Sequence, residues 1–542
     1  MTNEKRRMSG ISRRRFFTGA LGSAALAGIA MAAPSAAKPK SKPPKKPHCD
    51  GSDDDVNLVR GRFLTMDAAN SVVSDVAVRD GRIVAMGREG DLGPCKRRID
   101  LKGATVIPGL IDTHVHYLRA AQLPGYQVRI IETAASVGEL LQMIAQRTLS
   151  VPAGQFITNV GGWNVNGLAE ARLPTVAELD GAAPNHPVYL STTGAGGAIT
   201  NTAGRGFFTS HGVTVNANGT LNATQGLAAL TAVQTESDRQ RSTADFIDFA
   251  ASLGVTMVTD MGLAGAAVDG IDGYRYALNL WRDGNLKVRL RSFLNSSDDT
   301  GFSVAQGRIT GSFRHIGDDV FRTNGIGERV NNNTLNPGYV DFCKFAAQQG
   351  WQVTQHSLTA SEVDFHISAY QAAKLIAPID QLRWTLDHVN PITSAQIQAV
   401  KDLGIGLRLQ GWNYTSAAPS GPPWRSLVDS GIPLSAGTDS TNVGAFNPWL
   451  MLYYMTTMKN NAGVAASPPN QQITRMEALR MYTLGGARMS FDEDELGSIE
   501  AGKLADLVVL TDDPLTTSDA GLKRIRSALT MMDGVIVHGN VG

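Results

Sequence analysis

Three cysteines in 542 residues, Cys49, Cys95 and Cys343, none in a CxxC pair, exclude a thiolate metal site and a disulfide-built scaffold. Long apolar runs are missing as well. Outside one stretch near the N-terminus, no segment approaches the roughly 20 apolar residues that a membrane span needs. No G-x-G-x-x-G follows an early strand, which removes the main support for an open dinucleotide-type sheet. Basic charge is scarce beyond the start of the chain. Residues 1–46 hold 11 of the 50 Lys and Arg and one of the 49 acids, leaving 39 basic against 48 acidic residues, a net of −9. An acidic body argues against a nucleic-acid partner. The rest of the composition, 42% hydrophobic and 18% charged, describes a globular chain long enough for more than one domain.

What the N-terminus does have is an address. Ser12-Arg13-Arg14-Arg15-Phe16-Phe17-Thr18 runs into the apolar stretch Ala20 to Ala33, with a small-residue site at Ala30-Met31-Ala32. The paired arginines before a modestly apolar stretch resemble a twin-arginine signal, read by the twin-arginine export machinery. Residues 1–37 are therefore expected to be a signal peptide, and the protein periplasmic or extracellular with no stable membrane span after its removal. Residues 38–54, opening KPKSKPPKKP, repel themselves and read as a disordered linker. In an oxidising compartment Cys49 and Cys95 have the option of pairing, a question the odd count leaves open.

Two segments at opposite ends alternate apolar and polar residues. In 55–108, "VVSDVAVRDGRIVAMG" places Asp80-Gly81 at a hairpin turn; in 490–542, "IRSALTMMDGVIVHGN" does the same with Asp533-Gly534. One small β-sandwich built from both chain ends explains them most simply. Between them, helix-length segments, glycine stops and apolar strands alternate: "FIDFAASLG" then "VTMVTDMG", "SAQIQAVKDLG" then "IGLRLQGW", "WRSLVDSG" then "IPLSAGTDS". This is the grammar of parallel βα units. The fold class is accordingly α/β, a (β/α)₈ barrel over 109–489, with a Gly/Thr/Asn-rich insertion around 120–230 forming a subdomain or long active-site loops.

In such a barrel the chemistry collects at the C-terminal ends of the strands. "ATVIPGLIDTHVHY" ends in His114 and His116, whose i, i+2 spacing puts both imidazoles on one side of an extended strand. His356 ends "WQVTQH", His388 ends "LRWTLDH" and Asp439 ends "IPLSAGTD". Any one of these is as readily a structural residue. Ligand-competent residues at four strand ends in order point to one or two divalent metal ions, zinc or a similar borderline cation. His48, His186, His211, His315, His366 and His538 do not follow the pattern and read as solvent-facing or structural. Trp163, Trp412 and Trp424 fall in loop-like stretches, where they either line an apolar pocket or are simply buried.

The run "VIPGLIDTHVHYLRAA" resembles the first barrel strand of the amidohydrolase superfamily. "GGWN" at 161–164, "LGVTMVTDMG" at 253–262, "SAGTDS" at 435–440 and "LGSIEAGKLADLVVLTDDP" at 496–514 resemble its metal-dependent branch with a long insertion, the YtcJ-like proteins. The resemblance implies a barrel with a two-ended β-sandwich, and a metal centre on His114, His116, His356, His388 and Asp439. Relatives carry a carbamylated lysine on strand 4; the matching stretch here, "RTNGIGERVNNN", has none. Glu328 is the nearest carboxylate and is expected as a metal ligand in its place, the other reading being a salt bridge with Arg322 or Arg329. Relatives also place a substrate-holding histidine where this chain has the glycines of "STTGAGGAITN", 191–201.

The expected activity is hydrolysis of a C–N bond other than a peptide bond, in an amide, cyclic amide or N-acyl small-molecule substrate, by metal-activated hydroxide. Asp439 and His388 are the expected catalytic residues, Asp439 moving the water's proton to the leaving group. The alternatives are an inactive exported binding or regulatory protein on the same fold, and a deaminase or isomerase using the same centre. Homo-oligomerisation is left open.

Overall fold

The computed structural model describes residues 55–540 apart from 194–196, 263–270, 296–301, 332–334, 416–420 and 442. The expected signal peptide, the linker and Cys49 lie outside the described residues. Cys95 donates weakly to the Asp55 carbonyl at 3.6 Å, and Cys343 is buried in the core.

Eight parallel strands carry the molecule: β1 (Leu110–Val115), β2 (Val255–Asp260), β3 (Arg289–Leu294), β4 (Phe321–Ile326), β5 (Gln352–Ser357), β6 (Thr385–His388), β7 (Gly406–Gln410) and β8 (Leu434–Gly437). Each pairs with the next in chain order. The edge strands meet where the Thr113 and Ser435 hydroxyls lie 2.9 Å apart and Thr113 donates to the Ala436 carbonyl at 3.0 Å. The expected (β/α)₈ barrel is what forms. The glycine stops act as expected, as at Gly404, whose φ of 74° caps helix Ser394–Leu403 before β7. Helix starts are fixed by capping boxes at Thr235/Asp238, Thr359/Glu362 and Thr393/Gln396.

The chain ends combine in two further sheets. One orders Arg82–Gly87, Asp75–Arg79, Val56–Val59 and Arg98–Asp100. The other runs Val535–Gly539, Ser527–Met532, Leu507–Leu510, Thr105–Pro108, Arg62–Leu64 and Val72–Val73, so C-terminal strands continue directly into N-terminal ones. Leu58, Phe63, Val78, Val106, Val509 and Leu529, drawn from both ends of the chain, share one core. Asp80-Gly81 and Asp533-Gly534 turn two of the hairpins. Residues 126–221 form a five-stranded sheet with cores of their own.

Ion pairs that periodicity does not reveal tie the barrel to the C-terminal segment. Arg289 and Arg291 on β3 are fully buried. Arg289 forks onto Asp506 at 2.9 Å through both nitrogens. Arg291 forks onto Asp492 at 2.9 and 3.1 Å, and Arg322 of β4 reaches the same carboxylate at 3.1 Å. Removing one member of such a buried pair costs about 3–5 kcal/mol.

Candidate metal centre

The ends of β1, β4, β5, β6 and β8 converge on one point. His114 and His116 come from β1 and the residue after it, Glu328 follows β4, His356 lies on β5, His388 ends β6 and Asp439 follows β8. All six sequence-derived site residues are brought together, with ligand atoms grouped as His114/His116/Glu328, His114/His388/Asp439 and Glu328/His356/His388. Glu328 Oε2 lies 3.0 Å from His356 Nδ1, 3.1 Å from His388 Nε2 and 3.5 Å from His114 Nε2, and Oε1 lies 3.4 Å from His116 Nε2. Asp439 Oδ1 stands 3.2 Å from His116 Nε2 and 3.6 Å from His114 Nε2. Of the two arginines expected as alternative partners of Glu328, Arg322 pairs with Asp492 instead.

Local backbone geometry aims these groups. A Cβ on Gly437 would meet His114 N at 2.5 Å, so only glycine lets the end of β8 close on β1. Asp439 N then donates to His114 O at 2.7 Å. Asp112 binds both sides of the junction, accepting from Thr438 N at 3.0 Å, Thr438 Oγ1 at 2.6 Å and His114 N at 3.2 Å. His388 and Asp439 hold left-handed backbones at φ 70° and 52°, conformations that cost of order 1–3 kcal/mol and cluster at functional sites.

Behind the cluster, acceptors fix three of the imidazoles. His114 Nδ1 donates to Asp387 at 3.1 Å, His116 Nδ1 to the Gly262 carbonyl at 2.7 Å and His388 Nδ1 to Gln410 Oε1 at 2.6 Å. Gln410 is oriented in turn by donating to Arg408 O at 3.2 Å. Such partners leave each Nε2 lone pair pointing inward. Sequence pattern singles out none of the three. Asp387 does sit beside His388 in "LDH", a signal of adjacency and not of role.

The charges inside are balanced by protons. Burial raises Glu328, but the surrounding His114 and His356 imidazoles override it and hold the carboxyl well below its ordinary value. Burial lowers His388, yet hydrogen bonding and attraction from Glu328, with help from Asp439, lift it to about 9. His356, where burial dominates, is lowered. Burial lifts Asp112 to about 6 against the hydrogen bonds from Thr438.

The donor chemistry fits a divalent cation. His114 Nε2 is buried without a hydrogen-bond partner, an atom aimed at the two carboxylates with nothing to receive it. Imidazole nitrogens with carboxylates suit zinc-like ions. Of the tryptophans, Trp424 is buried at the start of a helix and Trp163 is nearly so, while the Trp412 ring lies 4.9 Å from the His388 ring. His186, His211, His315, His366 and His538 stand outside the cluster. A cavity of about 760 Å³ lined by Tyr274, Leu278, Leu294 and Phe321 contains none of the six residues.

A parallel eightfold barrel with imidazoles and carboxylates gathered at its C-terminal mouth is the arrangement of a metal-dependent hydrolase. Within that class, the chain belongs to the amidohydrolase family, whose model matches residues 97–538. It is similar to N-substituted formamide deformylase from Arthrobacter pascens, 27% identical over 90% of this chain and 99% of that protein. It is also similar to putative amidohydrolase YtcJ from Bacillus subtilis, 22% identical over 88% and 98%. Among solved structures, a variant of atrazine chlorohydrolase from Arthrobacter aurescens, complexed with zinc and atraton, superposes with a TM-score of 0.56. That match has 17% identity and covers 90% of this chain and 96% of that one.

Proposed function

We propose that the cluster holds one or two divalent ions, zinc in the first instance, on His114, His116, Glu328, His356, His388 and Asp439, and that the protein cleaves an amide, cyclic amide or N-acyl bond in a small molecule. The observation that carries this reading is the buried, partnerless Nε2 of His114 between two carboxylates. The formamide deformylase relative and the zinc-bound neighbour support the bond class and the metal. A divalent ion supplies Lewis acidity and lowers the pKa of water towards neutrality.

The chain's own residues do the rest. Glu328 takes part in two of the three donor groups, the placement of a bridging carboxylate where relatives use a modified lysine. Asp439 is the carboxylate that receives a proton from the attacking water and delivers it to the leaving nitrogen. His388 is oriented by Gln410 and flanked by Trp412; in a one-ion centre that leaves its Nε2 unligated, that N–H would be the donor for the substrate carbonyl. Asp387, Gly262 and Gln410 keep the imidazoles in register. The N-terminal segment makes this an exported enzyme in the same reading. Arg13→Lys with Arg14→Lys should then hold the protein in the cytoplasm in a fractionation experiment.

The direct test is metal content per purified chain. Two equivalents, reduced in Glu328→Ala, are expected. One equivalent untouched by that change would remove Glu328 from the site, and no metal even after reconstitution would overturn the hydrolase.

A further inference from the structure

The insertion carries a groove that the metal centre does not use. About 620 Å³ in volume, it lies between residues 127–130, helix Val137–Thr148 and Arg524 near the C-terminus. Glu139, Gln142, Met143, Gln146 and Arg147 recur at i, i+3, i+4, i+7 and i+8, so one helix face supplies that wall. None of the six residues of the metal cluster lines it. Among the described residues that do, Arg129, Arg147 and Arg524 are cations and Glu139 is an acid. Glu139 is already engaged, accepting from Arg524 Nη2 at 3.0 Å and from Ala135 N at 2.9 Å. Arg147 stands 3.8 Å from Asp245, a carboxylate that Arg241 shares at 3.6 Å, and its Nε is buried without a hydrogen-bond partner. Arg129 has less still. Among the described residues it forms no hydrogen bond and no ion pair, and its Nη2 is buried without a partner. Its guanidinium lies 5.5 and 5.3 Å from the ring centroids of Phe246 and Phe249, aromatic faces that orient a cation without neutralising it. Burial lowers its pKa to about 10, which leaves it charged at neutral pH.

In a body whose net charge is −9, this groove therefore holds two guanidinia with more donors than acceptors. Buried donors without acceptors are rare and costly unless something answers them. The planar guanidinium fork matches carboxylate and phosphate oxygens, and two under-paired cations call for two negative charges. Ile130, which also lines the groove, holds a left-handed backbone at φ 73°, a conformation that a β-branched side chain rarely adopts and that recurs at ligand clamps. We propose that the groove binds a small dianion, a dicarboxylate or a phosphate-type oxyanion, on Arg129 and Arg147, as a second site apart from the metal centre. Arg129 and Ile130 also line a smaller cavity together with Ser440 and Thr441, the residues after Asp439, whose hydroxyls are buried without partners. An occupant of the groove thus sits one side chain away from the loop that leads out of Asp439.

Calorimetric titration of the full-length protein as purified tests this, with sulfate and succinate as dianions, acetate as the monoanion and chloride added to equalise ionic strength. At least one dianion should bind about tenfold or more tightly than acetate. Sulfate ahead of succinate would identify a phosphate-type ligand, and the reverse order a dicarboxylate. Arg129→Gln should erase the preference while leaving metal content unchanged, and Arg129→Lys should keep part of it. Should Arg129→Gln fail to fold, Arg147→Gln, at a half-buried position, carries the same test with an expected loss of about tenfold. Stripping the metal should leave dianion binding as it was, which separates the groove from the metal centre whatever reaction that centre performs. Equal binding of dianions and acetate, a preference that survives both arginine changes, or one that disappears with the metal would overturn the site.

Discussion

Changing Asp387 to Asn should weaken metal binding without unfolding the barrel. Asp387 is fully buried on β6. One oxygen accepts from Thr354 Oγ1 at 2.7 Å and the other faces His114 Nδ1 at 3.1 Å. Burial raises the carboxyl, but hydrogen bonding and attraction from His114 bring it below its ordinary value, with Arg408 contributing. The carboxylate therefore enforces the tautomer in which His114 Nε2 is a lone pair. Asparagine keeps the shape and removes the charge, and when its NH₂ faces the ring it favours the tautomer with a proton on Nε2. Losing such a partner of a ligating histidine typically costs about 10–100-fold in metal affinity, about 1.4–2.7 kcal/mol. The assay is competition of the metal-free protein against a chromogenic zinc chelator, with a thermal melt to confirm an intact fold. Wild-type affinity in a folded Asp387→Asn protein would refute the argument that this carboxylate presets His114.

Metal uptake should release protons. In the metal-free protein His388 has a pKa raised to about 9, so it is charged near neutrality and must lose its proton to ligate. Apparent affinity then rises with pH up to about 9 and levels off above it. Calorimetric titrations in buffers of different ionisation enthalpy should give a non-zero slope at neutral pH, and a zero slope would contradict the proton balance described for the cluster. Separately, Asp492→Ala should strand the buried Arg291 and weaken Arg322, costing about 3–5 kcal/mol. A denaturant midpoint within error of wild type would show that these pairs contribute nothing net.

The barrel was legible because its signal is local: a glycine after most of its helices, as at Gly254, Gly350, Gly404 and Gly431, then an apolar run, and a polar residue where the run ends. The same regularity pointed to the cluster, since His114, His356, His388 and Asp439 each close such a run, whereas Glu328 came only from the resemblance, as the carboxylate nearest the place of the relatives' lysine. What stayed hidden depends on partners far away in sequence. The link from Asp387 to His114 spans 273 residues and that from Gln410 to His388 spans 22, crossing between strands. No periodicity marks either. The buried arginines of β3 look like surface charge until Asp492 and Asp506 arrive from the C-terminal segment.

The shared sheet also constrains how the molecule can come into being. Strand Thr105–Pro108 has Leu507–Leu510 as its neighbour, and Arg62 reaches Asp513, 451 residues further along. A nascent or truncated chain lacking its last strands would present Thr105–Pro108 as an open sheet edge, the kind of surface that recruits strands from other molecules. Closing so long a loop is slow and comes late. The sandwich therefore stays unsealed until Leu507–Leu510 has been made and has docked beside Thr105–Pro108.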